Sequence, residues 1–95
     1  MNNYELALVV DAKIEEEVRN KTVERAQHYI RKYNGEITEV EEWGKKRLAY
    51  EIDHKREGFY YFIKFNAPAD TPAELETEMR IMDNVLRYLV VRQEA

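Results

Sequence analysis

Apolar residues in the pattern of β-strands occupy four stretches of the chain. The first has Leu6, Leu8 and Val10 on one face, an alternation typical of a strand that buries one side. The third is apolar or aromatic on both faces, which indicates a strand in the middle of a sheet. The predicted strands cover residues 4–10, 36–53, 59–65 and 85–91.

Two stretches between these strands carry apolar residues at helical spacing. Asp11 is expected to cap the first helix, and Asn34 with Gly35 to end it near Tyr33. The second helix is expected to start with a capping box, Thr71 to Glu74, with Pro72 in the first turn. The predicted inward faces are Ile14, Val18, Ala26, Tyr29, Ile30 and Tyr33, then Leu75, Met79 and Met82; Arg19, Arg25 and Lys32 are expected on a solvated surface.

The order of these elements is βαββαβ. Right-handed crossovers and a central hairpin then give a four-stranded antiparallel sheet in the order 4-1-3-2, with both helices on one face. The sequence therefore predicts an α+β, ferredoxin-like sandwich that forms a single domain over residues 1–95. This fold carries many unrelated functions and indicates none by itself.

A glycine and three consecutive basic residues interrupt the second strand. Gly44 is expected to form a kink or bulge, because glycine adopts the necessary backbone angles without strain. Beyond the basic run, Leu48, Tyr50 and Ile52 alternate as the core face of the strand. The basic run has two interpretations: charges that protect an edge strand from aggregation, or a contact with a partner.

Composition limits the classes of function. The 95 residues carry a net charge of −4 and no cysteine, which excludes disulfides and thiolate zinc sites. The acidic total disfavours non-specific nucleic-acid binding, whereas a local basic patch suggests a restricted RNA contact or a second, basic partner. The N-terminal residues lack a signal-peptide pattern and no apolar run is long enough to span a membrane, so a cytoplasmic protein is expected.

No catalytic constellation is evident. His28 and His54 have no acid, serine or second ligand at a spacing suited to catalysis or metal binding. We therefore expect no enzymatic activity, metal, cofactor or small-molecule substrate. The remaining candidates are the basic residues around the central hairpin and near the C terminus, as RNA or partner contacts: Lys45, Lys46, Arg47, Lys55, Arg56, Arg80, Arg87 and Arg92.

The aromatic third strand raises an alternative function. RNA-recognition motifs share this topology and stack bases on aromatics of the third strand. Tyr60 and Phe62 fit that spacing, but Phe59 and Tyr61 stand where the motif has glycine and a small residue. A free single-strand RNA-binding module is thus the alternative, and the simpler interpretation is that these rings are core or a half-buried sheet face.

The run Gly44-Lys45-Lys46-Arg47-Leu48-Ala49-Tyr50-Glu51-Ile52 resembles the central motif of the bacterial small-subunit ribosomal protein six family. The segments 4–10, 57–60 and 80–91 are also similar to that family at matching positions. The departure is Asp53, where relatives tend to carry a small or basic residue. The resemblance implies a ferredoxin-like fold and a non-enzymatic, structural role in the ribosome. It also implies binding to the central domain of small-subunit ribosomal RNA together with ribosomal protein eighteen, a small basic protein, as a heterodimer.

Overall fold

Helices and strands follow one another in the predicted order. The computed structural model describes residues 1–52 and 55–93, and the side chains in those ranges other than those of residues 46–52, 55 and 56. The elements are β1 (Asn2–Asp11), α1 (Glu16–Lys32), β2 (Glu36–Ile52), β3 (Lys55–Ala67), α2 (Thr71–Arg80) and β4 (Val85–Gln93).

The four strands form one antiparallel sheet in the order β2-β3-β1-β4, so the predicted order and the ferredoxin-like fold are confirmed. Alternate residues of each strand point to opposite faces. On the inner face, Leu6, Leu8 and Val10 pack against α1 and α2 and are almost fully buried. The outer face carries the residues between them, and the cross-strand set Ala7, Phe62 and Leu89 lies at its centre.

The central hairpin is longer than predicted. Pairing of β1 with β3 ends at Asp11 and Gly58, but β2 and β3 continue to pair through Arg47 and Glu57 and, after a shift of register, at Ile52 and Lys55. The prediction of a polar turn over residues 54–58 is therefore wrong from Lys55 onward, because this segment belongs to β3 and lies opposite β2. We call residues 46–52 and 55–57 the hairpin extension.

Several predictions concern residues outside the described parts of this hairpin. Asp53 and His54 are not among the described residues. The backbone of Leu48, Tyr50 and Ile52 lies in β2, but the predicted burial of their side chains falls outside the described side chains. The kink is confirmed: Gly44 has φ +82°, and the β2–β3 register shifts between Glu42 and Gly44.

The start of α1 differs from the prediction. Asp11 does not cap the helix; its carboxylate accepts a hydrogen bond from the backbone N–H of Lys13 at 2.9 Å, within the turn that leaves β1. The N-cap residue is Glu15, whose side chain makes no capping bond. Glu16 and Glu17 occupy the first turn, where carboxylates favour the positive end of the helix dipole. Asn34, at φ 68°, ends the helix as predicted.

The buried face of α1 also differs in part from the prediction. Ala26 and Ile30 are buried as expected, whereas Val18 is 40% exposed. Thr22 and Val23 are buried in addition. Arg19, predicted on the solvated face, is half-buried against β3. Val18 and Arg19 are neighbours where the apolar face of α1 meets its polar face. Packing of Arg19 against the aromatic strand β3 decides which of the two faces the sheet.

Thr71 makes a different contact from the predicted capping box. It is the first residue of α2, is 1% exposed, and its hydroxyl donates to the backbone carbonyl of Tyr33 at 2.7 Å. Asp70 is the N-cap residue, without a side-chain capping bond. The capping prediction is wrong because the Thr71 hydroxyl is buried beside the C-terminal end of α1, where carbonyls lack helical partners. The predicted burial of Leu75, Met79 and Met82 is confirmed.

Candidate functional site: the basic hairpin and the outer sheet face

Four of the eight candidate basic residues lie in the hairpin extension. In the backbone register, Lys46 is opposite Gly58, Arg47 is opposite Glu57 and Lys55 is opposite Ile52. Arg56 follows Lys55 in β3. Lys46 and Arg47 on β2 and Lys55 and Arg56 on β3 are therefore carried by the two arms of one ribbon. Their side chains are outside the described set.

Lys45 lies at the base of this extension. It is opposite Phe59, and its Nζ is 3.8 Å from the Glu57 carboxylate. Both side chains of this pair are more than half exposed, so the ion pair adds little stability and leaves the ammonium group accessible to another anion.

The three arginines of the C-terminal region do not join this group in one patch. Arg80 is exposed at the end of α2. Arg87 lies on the outer face of β4, the sheet edge opposite to β2 and about 14 Å away across three strand spacings. Arg92 lies opposite Tyr4 toward the far end of the sheet, where it donates to the Asn2 side chain at 3.2 Å. The structure thus separates the basic candidates over several surfaces.

An apolar surface covers the middle of the outer face. Trp43 is 57% exposed and Leu89 is 50% exposed, and the half-buried rings of Tyr60 and Phe62 lie between their strands. A shallow cavity of about 200 Å³ opens here, lined mainly by Ala7, Val9, Tyr60, Phe62 and Leu89, with Arg87 at its rim. Large apolar side chains grouped on an open surface are typical of a protein interface.

The bulge at Gly44 gives Trp43 its place on this surface. One extra residue on β2 turns the indole over the neighbouring strand, where its ring centroid lies 4.7 Å from that of Phe62. The indole N–H is 3.4 Å from the Glu41 carboxylate. The glycine that the sequence identified as a kink therefore has a second effect, since it places the only tryptophan of the chain on the outer face.

Gly58 packs closely against Val9, one of the residues that line the cavity. A Cβ atom at this position would lie 2.5 Å from Val9 Cγ1 and 3.3 Å from the Val10 carbonyl oxygen. The glycine therefore allows the strands to come together over Val9, which is only 5% exposed although it belongs to the outer face. This close approach explains why a glycine stands just before the aromatic run.

Charges surround the apolar surface unevenly. Glu5, Glu39 and Glu41 lie toward the Asn2 end of the outer face, and Lys64 lies among them. The Lys64 ammonium is 3.4 Å from the Glu39 carboxylate, and this hydrogen bond is the main reason that the pKa of Lys64 is raised. The carboxylates of Glu5, Glu39 and Glu41 are thus grouped with Lys64 at one end of the outer face, while Arg87 lies nearer the other end.

The sequence did not identify the outer face as a surface of its own. It did predict that the rings of residues 59–65 are either core or a half-buried sheet face. Both occur: Tyr61 and Phe65 are in the core, and Tyr60 and Phe62 are half-buried. Apolar residues on both faces of a central strand, together with Leu89 and Val91 on β4, were the available signal. Alternation alone cannot show which face the helices cover.

The described residues provide neither a metal-binding cluster nor a membrane-spanning helix. No three histidine, aspartate or glutamate side chains among them are placed so that they could hold a metal ion. Within the same ranges, no helix is long and apolar enough to cross a membrane.

Comparison with known proteins identifies the family. Residues 3–92 match the model of the family described as ribosomal protein S6. The chain is 45% identical over 92 residues to small ribosomal subunit protein bS6 of Caldanaerobacter subterraneus subsp. tengcongensis, covering 97% of each chain. It is 42% identical over 94 residues to the bS6 protein of Alkaliphilus oremlandii, covering 99% of each.

A solved structure agrees with these sequence matches. The crystal structure of 30S ribosomal protein S6 from Thermotoga maritima superposes with a TM-score of 0.92 at 31% identity, covering 97% of this chain and 87% of that one. Sequence and fold thus agree over nearly the whole chain. The chain belongs to the ribosomal protein S6 family, whose members are structural constituents of the small subunit of the cytoplasmic bacterial ribosome.

Proposed function

We propose that this chain binds the central domain of small-subunit ribosomal RNA together with ribosomal protein eighteen, as one half of a heterodimer. The observation that carries the proposal is the presence of two different surfaces on one small domain. One is the apolar outer face with its carboxylates, and the other is the basic hairpin extension. A domain that joins a protein to an RNA needs both.

The outer face suits a protein partner with a basic surface. Exposed Trp43 and Leu89 provide apolar area that gains free energy when it is covered. Aromatic residues in such a position often dominate the energy of an interface. The group of Glu5, Glu39 and Glu41 would attract cations on the partner and so fix its orientation. Ribosomal protein eighteen, the basic partner implied by the family resemblance, fits this description.

The hairpin extension suits the RNA backbone. Lys46, Arg47, Lys55 and Arg56 follow one another along its two arms, and Lys45 lies at its base. Lysine and arginine bind phosphates without reading the base sequence, so these residues would hold the domain on the RNA rather than select the site. With a net charge of −4, the chain alone is expected to bind weakly, and the heterodimer more tightly.

The test is a binding titration with a fragment of central-domain ribosomal RNA, with and without ribosomal protein eighteen, over a series of salt concentrations. We expect weak binding by the chain alone and much tighter binding by the pair. Negligible binding in both cases would overturn the proposal. Tight, sequence-selective binding of single-stranded RNA by the chain alone would favour the RNA-recognition alternative.

Matched variants separate the two surfaces. Leu89→Asp should prevent formation of the heterodimer, whereas Val18→Asp, at a similarly exposed valine on α1, should not. Arg47→Ala should lower the salt dependence of RNA binding by about one counterion for each lost phosphate contact. Arg31→Ala, which removes an exposed cation from α1, is the control and should leave that slope unchanged.

A further inference from the structure

The hairpin extension depends on contacts at its base for its direction. Beyond Gly58, the arms of β2 and β3 pair only with each other in the described register, since β1 ends at Asp11. A two-stranded ribbon is at best marginally stable in water by itself. Contacts near Phe59, where the ribbon leaves the sheet, therefore decide how firmly it is held.

Arg19 supplies such a contact from α1. Its guanidinium carbon lies 3.7 Å from the centre of the Phe59 ring, and its Nε–H donates to the Tyr61 hydroxyl at 3.1 Å. Phe59 is directly opposite Lys45 in the register, so the arginine holds the strand pair at the point where the extension begins. Tyr61 is 3% exposed, so this end of the contact is anchored in the core.

Carboxylates near Tyr61 bear on whether Arg19 could contact RNA directly. Glu16 and Glu42 are close enough to raise the pKa of the Tyr61 hydroxyl, although burial is the main cause of that rise and Arg19 opposes it. Glu57, beside Phe59, pairs with Lys45. The carboxylates of Glu16 on α1 and Glu42 on β2 therefore act on the hydroxyl that Arg19 contacts. Negative charge in this region makes it less favourable for an RNA phosphate.

We infer that Arg19 is a positioning residue for RNA binding: it fastens α1 to Phe59 and Tyr61 and thereby holds the basic hairpin extension in the direction in which it meets RNA. This inference rests on the function proposed above, but the contact itself can be tested without RNA. It assigns a role to a residue that the sequence placed on the solvated face of α1.

The chain offers a matched control on the same helix. Arg25 makes the same type of contact, with its guanidinium carbon 5.7 Å from the Tyr29 ring centre and its Nε–H donating to the Tyr29 hydroxyl at 3.2 Å. Both partners belong to α1, however, so this contact fastens nothing to the sheet. Arg19→Met and Arg25→Met remove the same charge and hydrogen bond, and only the first removes a link between elements.

The first measurement is amide hydrogen exchange in the protein without RNA. Arg19→Met should speed exchange of the amides of residues 45–52 and 55–59 by about 3- to 30-fold, the effect of losing a cation–π contact of ordinary strength. Arg19→Lys should restore part of the protection, and Arg25→Met should not change it. Unchanged exchange in Arg19→Met overturns the inference. If Arg19→Met does not fold, Arg19→Lys must still show an intermediate increase confined to the hairpin.

The second measurement is RNA binding by the heterodimer over a series of salt concentrations. Arg19→Met should weaken binding by about two- to tenfold, because a smaller fraction of the protein has its hairpin in place. The salt slope should stay the same and the heterodimer should still form. A slope lower by about one would show a direct phosphate contact and overturn the positioning role. If the unaltered heterodimer does not bind RNA, the proposed function fails, while the exchange result still decides whether Arg19 holds the hairpin.

Discussion

The two faces of the sheet are made by the same strands and carry similar side chains, yet they differ in what covers them. Leu6 and Ile63 on the inner face are fully buried, whereas Leu89 on the outer face is half exposed. Both helices lie against the inner face. The comparison shows that coverage by the helices, rather than apolar character, divides the residues that stabilise the fold from those that are available to a partner.

Equal substitutions on the two faces give the sharpest test of this difference. Leu8→Ala removes a 1% exposed side chain and should lower the free energy of unfolding by about 2–5 kcal/mol. Leu89→Ala removes the same atoms from an open surface and should cost less than about 1 kcal/mol. Urea denaturation of both variants measures the two values, and similar losses would contradict the division between the faces.

The second test concerns Val9, an apolar residue of the outer face that is nevertheless buried. Gly58→Ala would push a methyl group against Val9 Cγ1 and should destabilise the fold by about 1–3 kcal/mol. In a Val9→Ala background the same change should cost less, because one clashing atom is gone. Denaturation of the four proteins of this double-mutant cycle gives the coupling, and strictly additive losses would show that the close approach is not the cause.

A smaller effect is expected for the hydrogen bond between Thr71 on α2 and the Tyr33 carbonyl at the end of α1. Thr71→Val removes the buried hydroxyl that bonds the Tyr33 carbonyl, and should lower the free energy of unfolding by about 1–2 kcal/mol. Thr77→Val is the control, since that hydroxyl is exposed and only bonds the Ala73 carbonyl within α2. Thermal unfolding should separate the two variants; a larger loss for Thr77→Val would be inconsistent with the structure.

The smallest effect is expected for the exposed ion pair of the outer face. Glu39 raises the pKa of Lys64 above its ordinary value of 10.5, so the stabilisation is complete below that value and is lost as the pH rises through the pKa of the folded protein. Glu39→Gln should therefore lower the Tm slightly at neutral pH, and the difference from the unaltered protein should shrink above pH 10.5. Glu36→Gln on the same strand is the control; a difference that grows with alkaline pH would oppose this account.

Much of the fold was predictable because periodicity reports burial directly. The alternation of Leu6, Leu8 and Val10 and the doubly apolar third strand identified strands, and right-handed crossovers between them then gave the sheet order. Gly44 was predicted as a bulge because the required backbone angle is one that glycine adopts readily. The central motif, which begins at that glycine, led to the family because it resembles the family's own motif at matching positions.

The predictions that were wrong concern polar side chains for which several hydrogen-bond or cation–π partners were possible. Asp11 and Thr71 are good capping residues by type, but Asp11 bonds the backbone N–H of Lys13 in a local turn. Thr71 bonds the backbone carbonyl of Tyr33, which only the folded chain brings near. Arg19 was assigned to the solvated face because its aromatic partners lie about 40 residues away in the chain. The extent of the hairpin was missed because Lys55 and Glu57 are polar, and pairing between backbones leaves no apolar pattern to detect.

The position of Trp43 has a consequence for spectroscopy. It is the only tryptophan of the chain and it lies on the outer face, so the intrinsic fluorescence of the protein comes chiefly from the surface that we expect a partner to cover. The emission of Trp43 should shift to shorter wavelength when a partner covers the outer face and excludes water from the indole. Because the indole is already 57% exposed in the folded chain, the same signal should respond only weakly when the core melts. Assembly and unfolding can thus be followed separately without attaching a dye.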